Sequence, residues 1–336
     1  MSSSVENQNA RIVDHAVSAR RPLFPNYRLN IGAGILGGLG LGLALAFFAA
    51  YVDDRAKSAF DIETVIGLPL IGIIPEVKRM GPAESMREKL AAKDDREVGE
   101  AFSTLLSTLQ LKDESKKAQC ILVTSTIASE GKTFITSNLA LTYAAHGERA
   151  LILDCDLRRP AVNRIFRLEN VKGVIDVCTA GMTLDEAIVK NAHNNLDVLV
   201  TGGRSKNPTH TLNSKEFAAM LSELRKRYDR IFIDTPPVAI VSDALIVLPH
   251  VDGSLYTIYF NKVRRKAAQF CVQKVLDSNV PCFGAVLNGL SGGIGGYYYA
   301  HYYAKNYKDY YVTKTEVNGG GVGKIEEPEK GKRRRG

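Results

Sequence analysis

The sequence predicts an α/β fold: a mostly parallel sheet flanked by helices, preceded by one transmembrane helix. Three observations carry this expectation. Apolar runs alternate with helical patterns from Ile121 to Asn288, the order of a sheet whose strands run parallel through right-handed crossovers. Three of those runs, Ile121-Leu122-Val123, Ala150 to Leu153 and Ile231-Phe232-Ile233, stop at small, hydroxyl-bearing or acidic residues. Upstream, residues 31–52 form a stretch of twenty-two residues without a charge.

Composition bounds the rest. A chain of 336 residues with 45% apolar content can build one large domain plus appendages. Five scattered cysteines (Cys120, Cys155, Cys178, Cys271, Cys282) show no metal spacing and read as reduced, partly buried residues of a cytosolic domain. The net charge is +8, and Lys324, Lys330, Lys332, Arg333, Arg334 and Arg335 lie in the last thirteen residues. Such an end either touches anionic lipid or nucleic acid, or is a disordered solubilising tail. The second is the expectation for residues 313–336, and no nucleic-acid partner is expected.

In chain order, residues 1–30 are polar, with Arg11, Arg20, Arg21 and Arg28 among Pro22 and Pro25, and read as an extended arm. At about 1.5 Å per residue the 31–52 stretch crosses a hydrocarbon core of about 30 Å. It is long and far from Met1, unlike a cleavable signal, and it lacks the polar face of a buried globular helix. Gly34, Gly38 and Gly42 are spaced for close helix approach, although Gly32, Gly37 and Gly40 blur that face. Residues 53–95 read as a juxtamembrane segment and linker: a short helix and a short strand within Asp61 to Pro75, then a charged run. The main domain is expected over 96–290. It opens with a helix from Arg96 to Leu111, where Phe102, Leu105, Leu106 and Leu109 recur at helical spacing.

The first strand leads into Thr124-Ser125-Thr126-Ile127-Ala128-Ser129-Glu130-Gly131-Lys132-Thr133, then a helix to about Ala145. This fits the end of the G-x-x-x-x-G-K-[ST] phosphate loop, with Thr126 at its first glycine. Together with Asp154-Cys155-Asp156 and Asp234 at two later strand ends, it predicts a P-loop NTPase. Backbone N–H groups and a lysine take the phosphates, and a hydroxyl and carboxylates hold Mg²⁺. Two short helices (Val171 to Ala180, Leu184 to Lys190) and a strand (Leu196 to Val200) follow. After a loop (Thr201 to Thr211) come an amphipathic helix (Lys215 to Arg227) and the Asp234 strand. Strand Ser254 to Phe260, helix Ala267 to Asp277 and strand Pro281 to Asn288 complete the domain.

These boxes resemble the bacterial tyrosine kinases of capsule and exopolysaccharide synthesis, the cytoplasmic halves of polysaccharide co-polymerases. That family carries T-S-x-x-P-G-E-G-K-[ST], then apolar-D-x-D-x-R, then D-T-P-P. Here Ala128-Ser129 replaces Pro-Gly, Asp154-Cys155-Asp156-Leu157-Arg158 matches the second box, and Asp234-Thr235-Pro236-Pro237 the third. The resemblance implies ATP contacts at Ser125, Ser129, Glu130, Gly131, Lys132, Thr133, Phe134 and Arg158. It implies Mg²⁺ held by Thr133, Asp154 and Asp234, and catalysis by Lys132, Asp154 and Asp156. Asn288 either reads the adenine or is a turn residue. A serine at a glycine position predicts a strained loop or a narrower phosphate pocket.

Further stretches extend the likeness. Arg21-Pro22-Leu23-Phe24-Pro25-Asn26 resembles the segment before the co-polymerases' second membrane helix, which faces outward. Charge is at odds with this, because the upstream arginines favour a cytoplasmic N-terminus. The ATP site places the main domain in the cytoplasm, and that argument governs. A first membrane helix and an external domain precede this point in the family. Their lack implies a fragment or a separate external partner. The family's E-x-x-R-x-x-R ring helix keeps Glu100 here, with Ser103 and Leu106 at the arginine positions.

Residues 291–312 hold a tyrosine cluster: Tyr297, Tyr298, Tyr299, Tyr302, Tyr303, Tyr307, Tyr310 and Tyr311, eight of the chain's fourteen tyrosines. A buried helix would need a partner for each hydroxyl, so the cluster reads as a mobile phosphate acceptor, each modification adding about −1.5 to −2 charges. The expectation is an autophosphorylating tyrosine kinase of the plasma membrane, single-pass, with ATP and Mg²⁺ as cofactors. Its expected partners are the membrane, a second copy of itself, a co-polymerase external domain or export machinery, and a phosphotyrosine phosphatase. Two alternatives stay open. One is a catalytically weakened ATP-binding assembly factor. The other is a membrane-bound partitioning-type ATPase, whose loop would carry a lysine near its start.

Overall fold

The structure is a computed structural model that describes residues 25–77 and 96–290. It divides into two units, meeting between Asp54 and Arg55.

The first unit is helix α1, Tyr27–Val52, which starts four residues earlier than the uncharged stretch. Asn26 explains the early start: its Oδ1 accepts from the Leu29 N–H at 3.5 Å, a side-chain cap on the first turn. The helix is long and apolar enough to cross a membrane, with a mean hydropathy of 2.0 over Tyr27–Phe48 and nothing in that window buried.

The second unit holds an eight-stranded sheet in the order β1-β8-β7-β2-β6-β3-β5-β4. The strands are β1 (Leu70–Pro75), β2 (Cys120–Ser125), β3 (Ala150–Asp154), β4 (Val189–His193), β5 (Leu196–Leu199), β6 (Arg230–Asp234), β7 (Gly253–Tyr259) and β8 (Cys282–Leu290). All neighbours pair parallel except β4 with β5. The central strands are buried on both faces. Ile121 and Val123 of β2 pack with helices α2 (Arg96–Leu111) and α3 (Lys132–Ala145), while Leu122 faces the layer of α4 (Lys215–Arg227) and α5 (Arg265–Leu276). Strands covered on both faces need continuous apolar runs, which is why they were visible in the sequence.

Four features differ from expectation. The unit reaches back to Arg55 rather than beginning at residue 96. A π-helical turn, Asp61–Ile66, and β1 belong to it: β1 pairs with β8, and Asp61 Oδ1 accepts from Arg265 Nη1 at 3.0 Å. The second of the two short helices stops at Ala187, and Val189–His193 becomes the antiparallel edge strand. The Thr201 to Thr211 loop contains the start of a helix, Pro208–Leu212. Short helices at Asp113–Lys117, Val162–Phe166 and Asp243–Val247 were not foreseen, being about one turn long and below the reach of periodicity. The five cysteines are free thiols, four of them buried. The tyrosine cluster, most of the N-terminal arm and the basic tail lie outside the described residues.

Candidate active site

The sheet's order places the site. Central β2 lies between β6 and β7, so the loop after β2 opens beside the carboxyl ends of β6 and β3 on one side and of β7 and β8 on the other. Sites in open α/β sheets form where the strand order reverses in this way.

The loop departs from its glycine-rich pattern at two places, and each has a local account. Thr126 is buried, and its hydroxyl shares a hydrogen bond with Tyr256 OH at 3.0 Å. Ser129 takes the left-handed turn that glycine usually provides, at φ 63°; of the two outcomes expected there, this is strain. Gly131 sits at φ 90°, and a Cβ there would lie 2.0 Å from Asn288 Nδ2, so glycine is required. Ser125 Oγ donates to Ile127 O at 3.0 Å. Glu130 is fully buried. Its Oε2 accepts from Ile127 N at 2.6 Å and its Oε1 from Tyr259 N at 3.3 Å. Burial pushes its carboxyl up to about 7, against the backbone donors that favour the charged form.

Behind the loop the charged groups converge. Lys132 Nζ donates to Asp156 Oδ2 at 3.1 Å and lies 3.8 Å from Asp234 Oδ1. Burial pulls the lysine down, but Asp234 and Asp156 outweigh it and hold the ammonium above its usual value. Thr133 Oγ1 donates to Asp234 Oδ2 at 2.7 Å. The other oxygen, Asp234 Oδ1, is buried without a hydrogen-bond partner. A carboxylate oxygen with no hydrogen bond, facing only the Lys132 ammonium and set beside a hydroxyl at a helix N-terminus, fits a hard cation reached through water. Burial raises Asp234 and Asp154, and in Asp154 the charge of Asp234 adds to the rise.

A family model described as an AAA domain matches residues 118–248, the stretch that holds all three boxes. Tyrosine-protein kinase YwqD of Bacillus subtilis (strain 168) is 30% identical over 190 residues, which are 56% of this chain and 80% of the relative. The chain belongs to the bacterial tyrosine-protein kinase family. Tyrosine-protein kinase ptk of Acinetobacter johnsonii is 27% identical over 297 residues, 86% of this chain. That match covers 40% of the relative, so the chain spans about two fifths of the length of such longer curated kinases. The crystal structure of the chimerical protein CapA2B2 superposes with a TM-score of 0.64 at 27% identity, covering 70% of this chain and all of that one.

Within this tyrosine-kinase framework the expected residues divide. Lys132, Thr133, Asp156 and Asp234 meet at one point. Asp154 is buried among them, and both its oxygens accept backbone hydrogen bonds. Oδ1 accepts from Asp156 N at 3.0 Å, and Oδ2 from Ala161 N and Val162 N at 3.4 and 3.3 Å. Through these bonds it shapes the acidic turn. Arg158, expected at the phosphates, is spent on buried Asp243 through bonds of 2.7 and 3.1 Å. The Phe134 ring packs edge-on against Phe102, with centroids 5.8 Å apart. Asn288 is not a turn residue: it lies inside β8 and donates to Glu130 O at 2.9 Å. Sequence reasoning missed Tyr259 and Lys262, which touch the loop from the end of β7. The same signal, a polar residue just past a strand's carboxyl end, was available for Lys262, whereas Tyr259 bonds through its backbone N–H, which no residue type announces.

Proposed function

We propose that the chain is an ATP-dependent, autophosphorylating protein-tyrosine kinase serving capsule or exopolysaccharide polymerisation and export. One observation carries the reading. Lys132, Thr133, Asp156 and the unsatisfied Asp234 oxygen converge behind a phosphate loop in a chain of tyrosine-kinase ancestry that also bears eight clustered tyrosines.

Each group has a task. The N–H groups at the start of α3 and the Lys132 ammonium bind the β/γ phosphates of ATP. Incoming phosphate competes with Asp156 for Lys132 and frees that carboxylate. Asp156 then orients the acceptor phenol and takes its proton as the oxygen attacks the γ-phosphorus. The bond from phosphorus to the bridging oxygen breaks, and ADP leaves. Thr133 directly and Asp234 through water would hold Mg²⁺, which supplies charge neutralisation when bound. Such transfer demands positioning and neutralised charge more than covalent chemistry. The acceptors are Tyr297, Tyr298, Tyr299, Tyr302, Tyr303, Tyr307, Tyr310 and Tyr311 of a second copy. Helix α1 anchors the kinase at the cytoplasmic face of the plasma membrane, beside a co-polymerase external domain or export machinery, and a phosphotyrosine phosphatase reverses the modification.

The test is transfer of ³²P from ATP to the chain's tyrosines, wild type against Lys132→Met. Labelling should fall by at least a hundredfold in the variant; equal labelling ends the proposal. A second reading, an ATP-responsive assembly factor without catalysis, draws on the strained Ser129 and on Leu106, which is buried where the family's ring helix has an arginine. Tight binding of ATP with no labelled tyrosine selects it.

A further inference from the structure

The tip of the phosphate loop is held from the β7–β8 side of the sheet. Lys262, three residues beyond β7, donates from Nζ to Ser129 O at 2.6 Å. The next carbonyl in the loop, Glu130 O, accepts from Asn288 Nδ2 of β8 at 2.9 Å. The Glu130 side chain in turn accepts from Tyr259 N at 3.3 Å, and the Lys262 ammonium lies 5.5 Å from the centre of the Tyr259 ring. That ring has room only because the neighbouring residue is Gly289, where a Cβ would lie 2.3 Å from it. Two consecutive loop carbonyls are therefore fixed by two side chains from outside the loop.

The first of those carbonyls belongs to Ser129, the one loop residue besides Gly131 in the left-handed region. A serine there resists the conformation that a Pro-Gly pair adopts with ease. A charge-assisted bond to its carbonyl supplies the missing restraint. The loop's own lysine is not available for this, because Lys132 is engaged with Asp156 and Asp234.

We propose that Lys262 is a positioning residue that keeps the phosphate loop in its binding shape, compensating for the serine at position 129. The proposal rests on the reading of this loop as a nucleotide site. It is not the only use a lysine could have at the mouth of such a site: it could instead bond to the phosphates directly. The two uses predict different couplings between Lys262 and Ser129.

The experiment uses the full chain in detergent, with Mg²⁺ and the fluorescent nucleotide mant-ATP, in four forms: wild type, Lys262→Met, Ser129→Gly and the double variant. A positioning role predicts about a tenfold loss of affinity for Lys262→Met in the serine background and less than about threefold in the glycine background, where the turn needs no restraint. Equal losses in both backgrounds overturn the proposal in favour of a direct phosphate contact, and no loss in either overturns it altogether. A second measurement needs no nucleotide. Hydrogen exchange of a peptide covering residues 127–133 should quicken in Lys262→Met and return towards wild type in Lys262→Arg, which keeps a donor. If wild type binds no mant-ATP, the nucleotide reading fails by itself. The exchange data still decide the latch, and unchanged exchange in Lys262→Met then overturns it.

Discussion

Ser129 and Glu130 stand side by side in the phosphate loop and stress it differently. Ser129 occupies a left-handed turn at φ 63°. Replacing it with glycine should stabilise the fold by about 1 kcal/mol, the cost an L-residue pays in that region. Denaturant titration measures this, and a destabilised Ser129→Gly chain would contradict it. Glu130 stores a pH dependence. Its carboxyl ordinarily loses its proton near 4.5 and in the fold near 7. The folded chain thus holds this proton more tightly. The resulting stabilisation is fully present below pH 4.5 and is lost as pH rises from 4.5 to about 7. Glu130→Gln carries no such proton. The difference in unfolding free energy between wild type and variant should therefore change across that window and flatten above it. A constant difference from pH 4.5 to 7 shows that the group is not perturbed as described.

Helix α2 shows how much an element's sequence reveals and where it stops. Its bounds, Arg96–Leu111, and its apolar face followed from the spacing of Phe102, Leu105, Leu106 and Leu109, all of which are buried. The two positions at which the family carries ring-forming arginines part company in the fold. Ser103 is exposed and its hydroxyl bonds back to Gly99 O at 3.0 Å, whereas Leu106 is only 2% exposed. Ser103→Arg should therefore leave stability within about 0.5 kcal/mol, while Leu106→Arg should cost about 3 kcal/mol by forcing a charge into the packed layer. Thermal unfolding of the two variants checks this, and equal midpoints would refute it. The one-turn helices were illegible for the opposite reason: five residues carry less than two turns of periodicity, and their ends are decided by what they cap. Arg230 illustrates this. It donates to Lys116 O at 2.7 Å and to Ala118 O at the end of the Asp113–Lys117 helix, while its guanidinium lies 5.1 Å from the centre of the Tyr143 ring.

At the scale of the whole molecule the domain boundary is the main correction. The charged run after Pro75 suggested that the domain begins at residue 96. Instead the chain from Arg55 pairs β1 with β8, and Ala56 N donates to Val263 O at 2.9 Å. A chain starting at Arg55 should fold with one cooperative transition. A chain starting at Arg96 loses Ile62, Ile66, Leu68, Ile73 and Ile74 from the core and bares the edge of β8. It should melt lower or aggregate, because an unpaired apolar edge recruits other chains. Equal stability of the two truncated chains would show that the segment is an appendage.

The α/β class, an apolar helix over residues 31–52, the phosphate loop, and the acidic residues Asp154, Asp156 and Asp234 at strand ends were all legible in the chain alone. Each is written locally, in a run of apolar residues or a fixed spacing. What each polar group has left to offer depends on the neighbours that folding brings to it. Asp154 accepts from backbone N–H groups and Arg158 pairs with Asp243, while one oxygen of Asp234 has no hydrogen bond and only the Lys132 ammonium at 3.8 Å, and Lys262 reaches the tip of the loop. Those assignments depend on residues as far as 133 positions apart meeting at one end of a sheet. No local pattern encodes such meetings, because strand order and register settle which side chains compete for the same donor.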